Sequence, residues 1–207
     1  MKRPIDKEPT LTVELADRAR HRLTESIDTL ARARDLLPEA ISRAAETIVT
    51  GLLGGGKVLV CGSGGSGSLA QYFAARMLHR FERERPGLPV IGLSNDSGIL
   101  TAIAGDSEFG EVFAKQVGAI GHPGDLLLAI SSDGNARSTA RAAAVAHERQ
   151  MTVVALTGQD GGALAECLGE TDVELRAPSE NPSYTQEVQV AVLHCLCDLV
   201  DAQLLGS

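Results

Sequence analysis

The residues best placed to do chemistry form a glycine- and serine-rich run, Cys61-Gly-Ser-Gly-Gly-Ser-Gly-Ser68, between a short apolar stretch and a helical pattern over Leu69–Arg80. A glycine-rich turn at a helix N-terminus suits an anion. Backbone N–H groups are unpaired there, the helix dipole favours negative charge, and glycine lets the backbone come close. A second loop of the same kind, Ser131-Ser-Asp-Gly-Asn135, follows the apolar run Leu126–Ile130 and leads into a helix around Ala140–Arg149. Two hydroxyl-rich turns at the carboxyl ends of strands in one sheet converge on one ligand. Ser63, Gly64, Gly65, Ser66, Ser131 and Ser132 are therefore the expected donors to a phosphate group or a free phosphate or sulfate.

The first run also satisfies the G-x-G-x-x-G dinucleotide pattern, which calls for an acidic residue at the end of the second strand, roughly 20 residues on. Asp96 lies further along, in a Ser-Asn-Asp-Ser turn, so the pattern stays incomplete. If both loops were only helix caps, the serines would be explained but the glycine cluster would not.

The elements that must hold these loops are legible in the hydrophobic period. From about Thr10 to Leu53 the chain reads as helix, with Leu23, Ile27, Leu30, Leu36, Ile41, Ala45 and Ile48 recurring at spacings of three to five; Pro38 opens a second helix and Gly54–Gly56 ends it. Five short apolar runs then alternate with helical patterns: Lys57–Cys61, Pro89–Leu93, Asp125–Ile130, Thr152–Leu156 and Asp172–Arg176. Buried strands joined by helices predict an α/β fold with a doubly wound, five-stranded parallel sheet. The expected organisation is a flexible N-terminus (1–9), N-terminal helices that pack on the domain and serve oligomerisation (10–53), and the α/β domain itself (54–207). A last helix, Gln186–Leu205, is apolar around much of its circumference and is expected in the core or between subunits.

Composition narrows the rest. The chain has 207 residues, 43% hydrophobic and 22% charged, ordinary for a globular protein with a sizeable core. A net charge of −8 argues against direct nucleic-acid binding, which needs clustered Lys and Arg, and leaves a small molecule or a protein as partner. The four cysteines form no spaced framework; Cys195 and Cys197 sit in an apolar run and read as buried thiols in a reducing compartment. No apolar leader and no run near the ~20 residues of a membrane span is read, so a cytoplasmic location without membrane contact is expected.

Several blocks resemble a known group over about Thr24–Leu205: Gly55-Gly-Lys-Val-Leu, Cys61-Gly-Ser-Gly-Gly-Ser66, Arg80-Phe-Glu-Arg-Glu-Arg-Pro86, Leu126-Leu-Leu-Ala-Ile-Ser131, Val154-Ala-Leu-Thr-Gly158 with Asp160-Gly-Gly162, and Gln186-Glu-Val188. They resemble the SIS-domain proteins, in the group that holds the phosphoheptose isomerases and the DnaA initiator-associating (DiaA) proteins. The blocks Leu37–Ala45, Leu100–Ala104 and Cys195–Leu199 look closer to the latter. The resemblance implies the flavodoxin-like SIS fold, a phosphosugar at the Gly/Ser loops with Gln186 among its ligands, and a homotetramer.

It also implies a test of catalysis. In the isomerase pattern the helix after the first loop carries a His and a Glu four residues apart, and the last helix a Gln and, eight residues on, a His; together they hold a divalent metal and move a proton between adjacent carbons. The matching positions here are Tyr72, Arg76, Gln186 and His194. Arg76 is a permanent cation that neither ligates metal nor acts as a base, and Tyr72 could ligate only as a phenolate, with an ordinary pKa of about 10. Half the set is thus absent. His194 reads as a hydrogen-bonded histidine in a mostly apolar helix, Val190–Val200, or else as a surviving base; Asp106 and Glu187 are the candidate carboxylates to replace the Glu, although Glu187 should point away. His79, His122 and His147 read as surface residues. Asp133, where the isomerase loop has a Ser, places negative charge near the phosphate unless it turns aside to cap the next helix.

The resemblance therefore points to a tetrameric binding protein for a DnaA-type initiator, without isomerase activity and with no cofactor expected. Leu204 and Leu205 match the apolar C-terminal pair that contributes to partner binding or assembly. The alternative is a phosphoheptose isomerase of lipopolysaccharide heptose synthesis, with His194, Gln186 and Asp106 acting and a divalent metal such as zinc; a phosphosugar sensor is a third reading.

Overall fold

The computed structural model describes residues 9–206, with side chains from residue 14 onward. The stretch 1–9, expected to be flexible, lies outside the described residues except for Pro9, which opens the first helix. Two helices lead, α1 (Pro9–Leu36) and α2 (Pro38–Leu53), broken at Leu37 because Pro38 can begin a helix but cannot continue one.

Five strands follow: β1 (Val58–Gly62), β2 (Val90–Gly92), β3 (Leu126–Ile130), β4 (Thr152–Thr157) and β5 (Val173–Arg176). All pairings are parallel, in the order β2-β1-β3-β4-β5, the flavodoxin-like arrangement expected from the sequence. Each predicted strand is present within a residue or two of its expected ends. Successive side chains go to opposite faces. Val58, Val60, Leu126, Leu128, Val154 and Leu156 face α2 and the helix α8 (Pro182–Leu205), whereas Leu59, Cys61, Leu127, Ala129, Val153 and Ala155 enter the second core.

The crossover helices are α3 (Gly65–Leu78), α4 (Ser97–Asp106), α5 (Ala114–Ile120), α6 (Arg137–Glu148) and α7 (Gly162–Glu166). The helices α3, α6 and α8 each begin a few residues earlier than the period suggested. The structure adds α4, α5 and α7, together with a 3₁₀ turn at Phe109–Glu111. Asp96 caps α4 by accepting from the Ile99 N–H, so it is committed to a turn, as its setting implied.

Two expectations about α8 are corrected. By length and composition it is apolar enough to cross a membrane, with an 18-residue window of mean hydropathy 1.5. In the fold, however, it packs against α1, α2 and α3, and Val188, Val192, Leu193, Leu196 and Val200 are buried. Cys195 is exposed rather than buried; Cys197 is buried, and burial pushes its thiol up to about 12.

Candidate functional site

The first Gly/Ser loop leaves β1 at the sheet's carboxyl edge. Gly64 turns the chain at φ 58°, a conformation that suits a residue without Cβ, and α3 starts at Gly65 with no side-chain cap on its first amides. Beside this turn lies a pocket of about 160 Å³ lined by Ser63, Gly64, Ser68, Gln71, Ser94 and Phe109, among others. Ser94 supports it from below, its hydroxyl donating to the Gly62 carbonyl at 2.8 Å.

The second loop lies alongside. Ser63 Oγ meets Ser138 Oγ, in the first turn of α6, at 3.0 Å, so the first loop is joined hydroxyl to hydroxyl to the helix that follows the second. Gln189, fully buried on α8, donates from Nε2 to the carbonyls of Ser131 and Leu156 at 3.1 and 3.2 Å and holds the ends of β3 and β4 together. Three residues earlier, Gln186 lies against Gly65, where a Cβ would sit 2.5 Å from its Nε2. One face of α8 thus spans both loops, as i and i+3 positions allow.

The expected phosphate donors are therefore neighbours in space, but not equal ones. Gly64 and Gly65 are exposed and Ser63 and Ser132 half-buried, whereas Ser66 and Ser131 are buried. The Ser131 hydroxyl donates to Asp133 Oδ1 at 3.2 Å, and the Asn135 N–H donates to the same oxygen at 2.9 Å. Asp133 thus folds back on its own loop instead of capping α6, whose N-cap Ala136 makes no side-chain bond. It takes up a hydroxyl that the sequence assigned to the ligand.

The residues weighed for catalysis separate into two groups. Tyr72 Oη and His194 Nε2 lie 2.8 Å apart, Phe81 stacks on the imidazole at 5.6 Å, and the Arg76 guanidinium lies 5.0 Å over the Tyr72 ring. His194 is thus hydrogen-bonded to a side chain of the neighbouring helix α3. Asp106 ends α4, exposed and without a side-chain hydrogen bond or ion pair among the described residues. Glu187 accepts a hydrogen bond from Ser26 of α1 and so faces away from the site, as expected. Among the described residues no group of three or more His, Cys, Asp or Glu side chains could hold a metal ion. The donors present do not fit the metal that the isomerase pattern implies.

Three participants escaped sequence reading: Ser138, Gln189 and Phe81. Of these, Gln189 left a signal, a lone amide in the apolar run Val188–Leu193 on the same face as Gln186. His79 and His122 are exposed, as expected. His147 is not a plain surface residue, because it bonds the buried Asp172 at 2.7 Å.

Comparison with known proteins agrees with this geometry. The SIS-domain family model matches residues 23–158. The DnaA initiator-associating protein DiaA of Klebsiella pneumoniae is 53% identical, over 92% of this chain and 97% of its own length. Among solved structures, a phosphoheptose isomerase from Neisseria gonorrhoeae is 40% identical with a TM-score of 0.86, covering 91% of this chain and 99% of that one. Another from Francisella tularensis is 42% identical with a TM-score of 0.88, covering 90% and 97%. The chain belongs to the SIS-domain family and, within it, to the group of the DnaA initiator-associating proteins.

Proposed function

We propose that this protein is a scaffold and not an enzyme: a cytoplasmic homotetramer that associates with a DnaA-type replication initiator, needs no cofactor, and keeps its Gly/Ser loops as a phosphate or phosphosugar site. The initiator is the partner that the names of its relatives give. The observation that carries the loss of catalysis is the 2.8 Å contact between Tyr72 and His194. A general base must aim a free nitrogen at the proton it removes. His194 Nε2 is instead directed at a phenol, and the neighbouring Arg76 supplies no base.

The second reading, conversion of sedoheptulose 7-phosphate to D-glycero-D-manno-heptose 7-phosphate, is favoured by the two isomerase structures. It would need His194 and Gln186 to work with Asp106, which makes no contact with either among the hydrogen bonds of the described residues. One experiment separates the readings. Incubated with sedoheptulose 7-phosphate, with and without zinc, the protein should form no aldose product, while immobilised intact chain should retain DnaA and the double variant Leu204→Ala, Leu205→Ala should retain less. Turnover near or above ~1 s⁻¹ would establish the isomerase instead.

A further inference from the structure

The block Arg80–Pro86 takes no part in the Gly/Ser loops, yet its side chains alternate in a regular way. Phe81 stacks on His194, Arg83 Nη1 donates to the Gly206 carbonyl at 2.6 Å, and Arg85 Nε donates to Asp201 Oδ1 at 2.5 Å. Between them Glu82 and Glu84 are exposed, and Arg80 pairs with Glu84 at 3.1 Å. The block is a strap laid along the last turns of α8 and fastened at residues 194, 201 and 206.

Arg85 is the buried fastening. Its side chain is 1% exposed and that of Asp201 2%; the guanidinium also donates to the carbonyls of Met77 at 2.8 Å, Pro86 at 3.1 Å and Arg76 at 3.2 Å. A buried ion pair adds little net stability, because desolvation offsets the attraction. Asp201 Oδ2 is buried with no partner, so this pair is not arranged for stability alone. What a rigid five-donor fork supplies is direction. It ties the end of α8 to the end of α3, next to Leu204, which packs on the core, and Leu205, which is 46% exposed.

We infer that Arg85 is a positioning residue for the terminal turn of α8, holding the Leu204–Leu205 edge in the orientation that a protein partner reads. The partner's identity rests on the initiator-binding reading above; the positioning does not.

Two measurements on the full chain test this. In hydrogen exchange, Arg85→Met should speed the amides of residues 202–206 by ~10-fold or more while β1, β3 and β4 keep their protection, and Arg85→Lys should restore part of the difference. In DnaA binding, Arg85→Met should weaken capture about as much as Leu204→Ala with Leu205→Ala, and combining all three should add nothing further, the mark of residues acting as one unit. Should Arg85→Met fail to fold by circular dichroism, Asp201→Asn takes its place in both measurements. Unchanged exchange at 202–206, or a rise spread equally over the strands, overturns the inference, as do additive losses in binding. A local rise in exchange in a protein that never captures DnaA overturns the initiator reading and leaves the positioning intact.

Discussion

Tyr72 stands where the isomerase pattern has a histidine. Its phenol engages His194, 122 residues further along the chain, and the pair is sandwiched between the Arg76 guanidinium and the Phe81 ring. Removing only the hydroxyl, in Tyr72→Phe, should cost about 1 kcal/mol in urea unfolding with an unchanged m-value, since one hydrogen bond is lost and little surface changes. A cost near zero would mean that the phenol and imidazole do not bond in solution. The misfit residues at this position were legible in the sequence because charge and pKa belong to the residue type. Their contact was not, because it depends on how α3 and α8 cross. The same holds for Ser138 and for His147, whose partners lie on other elements.

Strands declare themselves by apolar runs, but what sets their starts is polar. Asp125 and Asp172 immediately precede β3 and β5. Asp125 accepts from the Lys57 and His122 N–H groups and pairs with Lys57 Nζ, while Asp172 accepts from the Val153 and Gly169 N–H groups. Each carboxylate therefore binds its own strand to a neighbour at the amino edge of the sheet. Burial alone would push the Asp125 carboxyl up, but the hydrogen bonds from Lys57 and His122 outweigh it and leave it below the usual carboxylate range. A depressed pKa contributes stability that is present above the unfolded value, about 3.9, and is lost as pH falls through the folded value. Asp125→Asn should accordingly lower stability by roughly 1–3 kcal/mol at pH 7, and the gap to wild type should close as the pH is taken below ~4. A gap independent of pH would assign the effect to shape and not to charge. Periodicity found every strand yet missed α4, α5 and α7. The helix α4 is only ten residues long, with Leu100, Ile103 and Ala104 partly buried against the second core and no residue fully buried, and α7 has only five residues.

At the scale of the whole molecule, the N-terminal helices are expected both to pack on the domain and to serve oligomerisation, and part of the apolar pattern of α1 is left uncovered by this chain. Leu23 and Ile27, one turn apart, are 66% and 65% exposed. Contiguous exposed apolar side chains on a helix suit contact with another protein surface, in line with the proposed tetramer. The double variant Leu23→Asp, Ile27→Asp should therefore lower the molar mass measured by light scattering while leaving the far-ultraviolet spectrum unchanged; an undiminished mass would place the subunit contacts elsewhere.

The position of α8 in the chain has a consequence for how the protein is made. Gln186, Gln189 and His194 complete loops and contacts whose other halves belong to β1, α3 and β3. During synthesis the sheet therefore emerges with one apolar face covered only in part, by α2 and α3, and its Gly/Ser turns without their partners on α8, until that helix follows. Domains generally fold as units as they emerge, and here closure waits for the final helix. A nascent chain stalled before Pro182 should offer the uncovered part of that face to chaperones, and ligand binding and the partner surface should appear together, once α8 has docked.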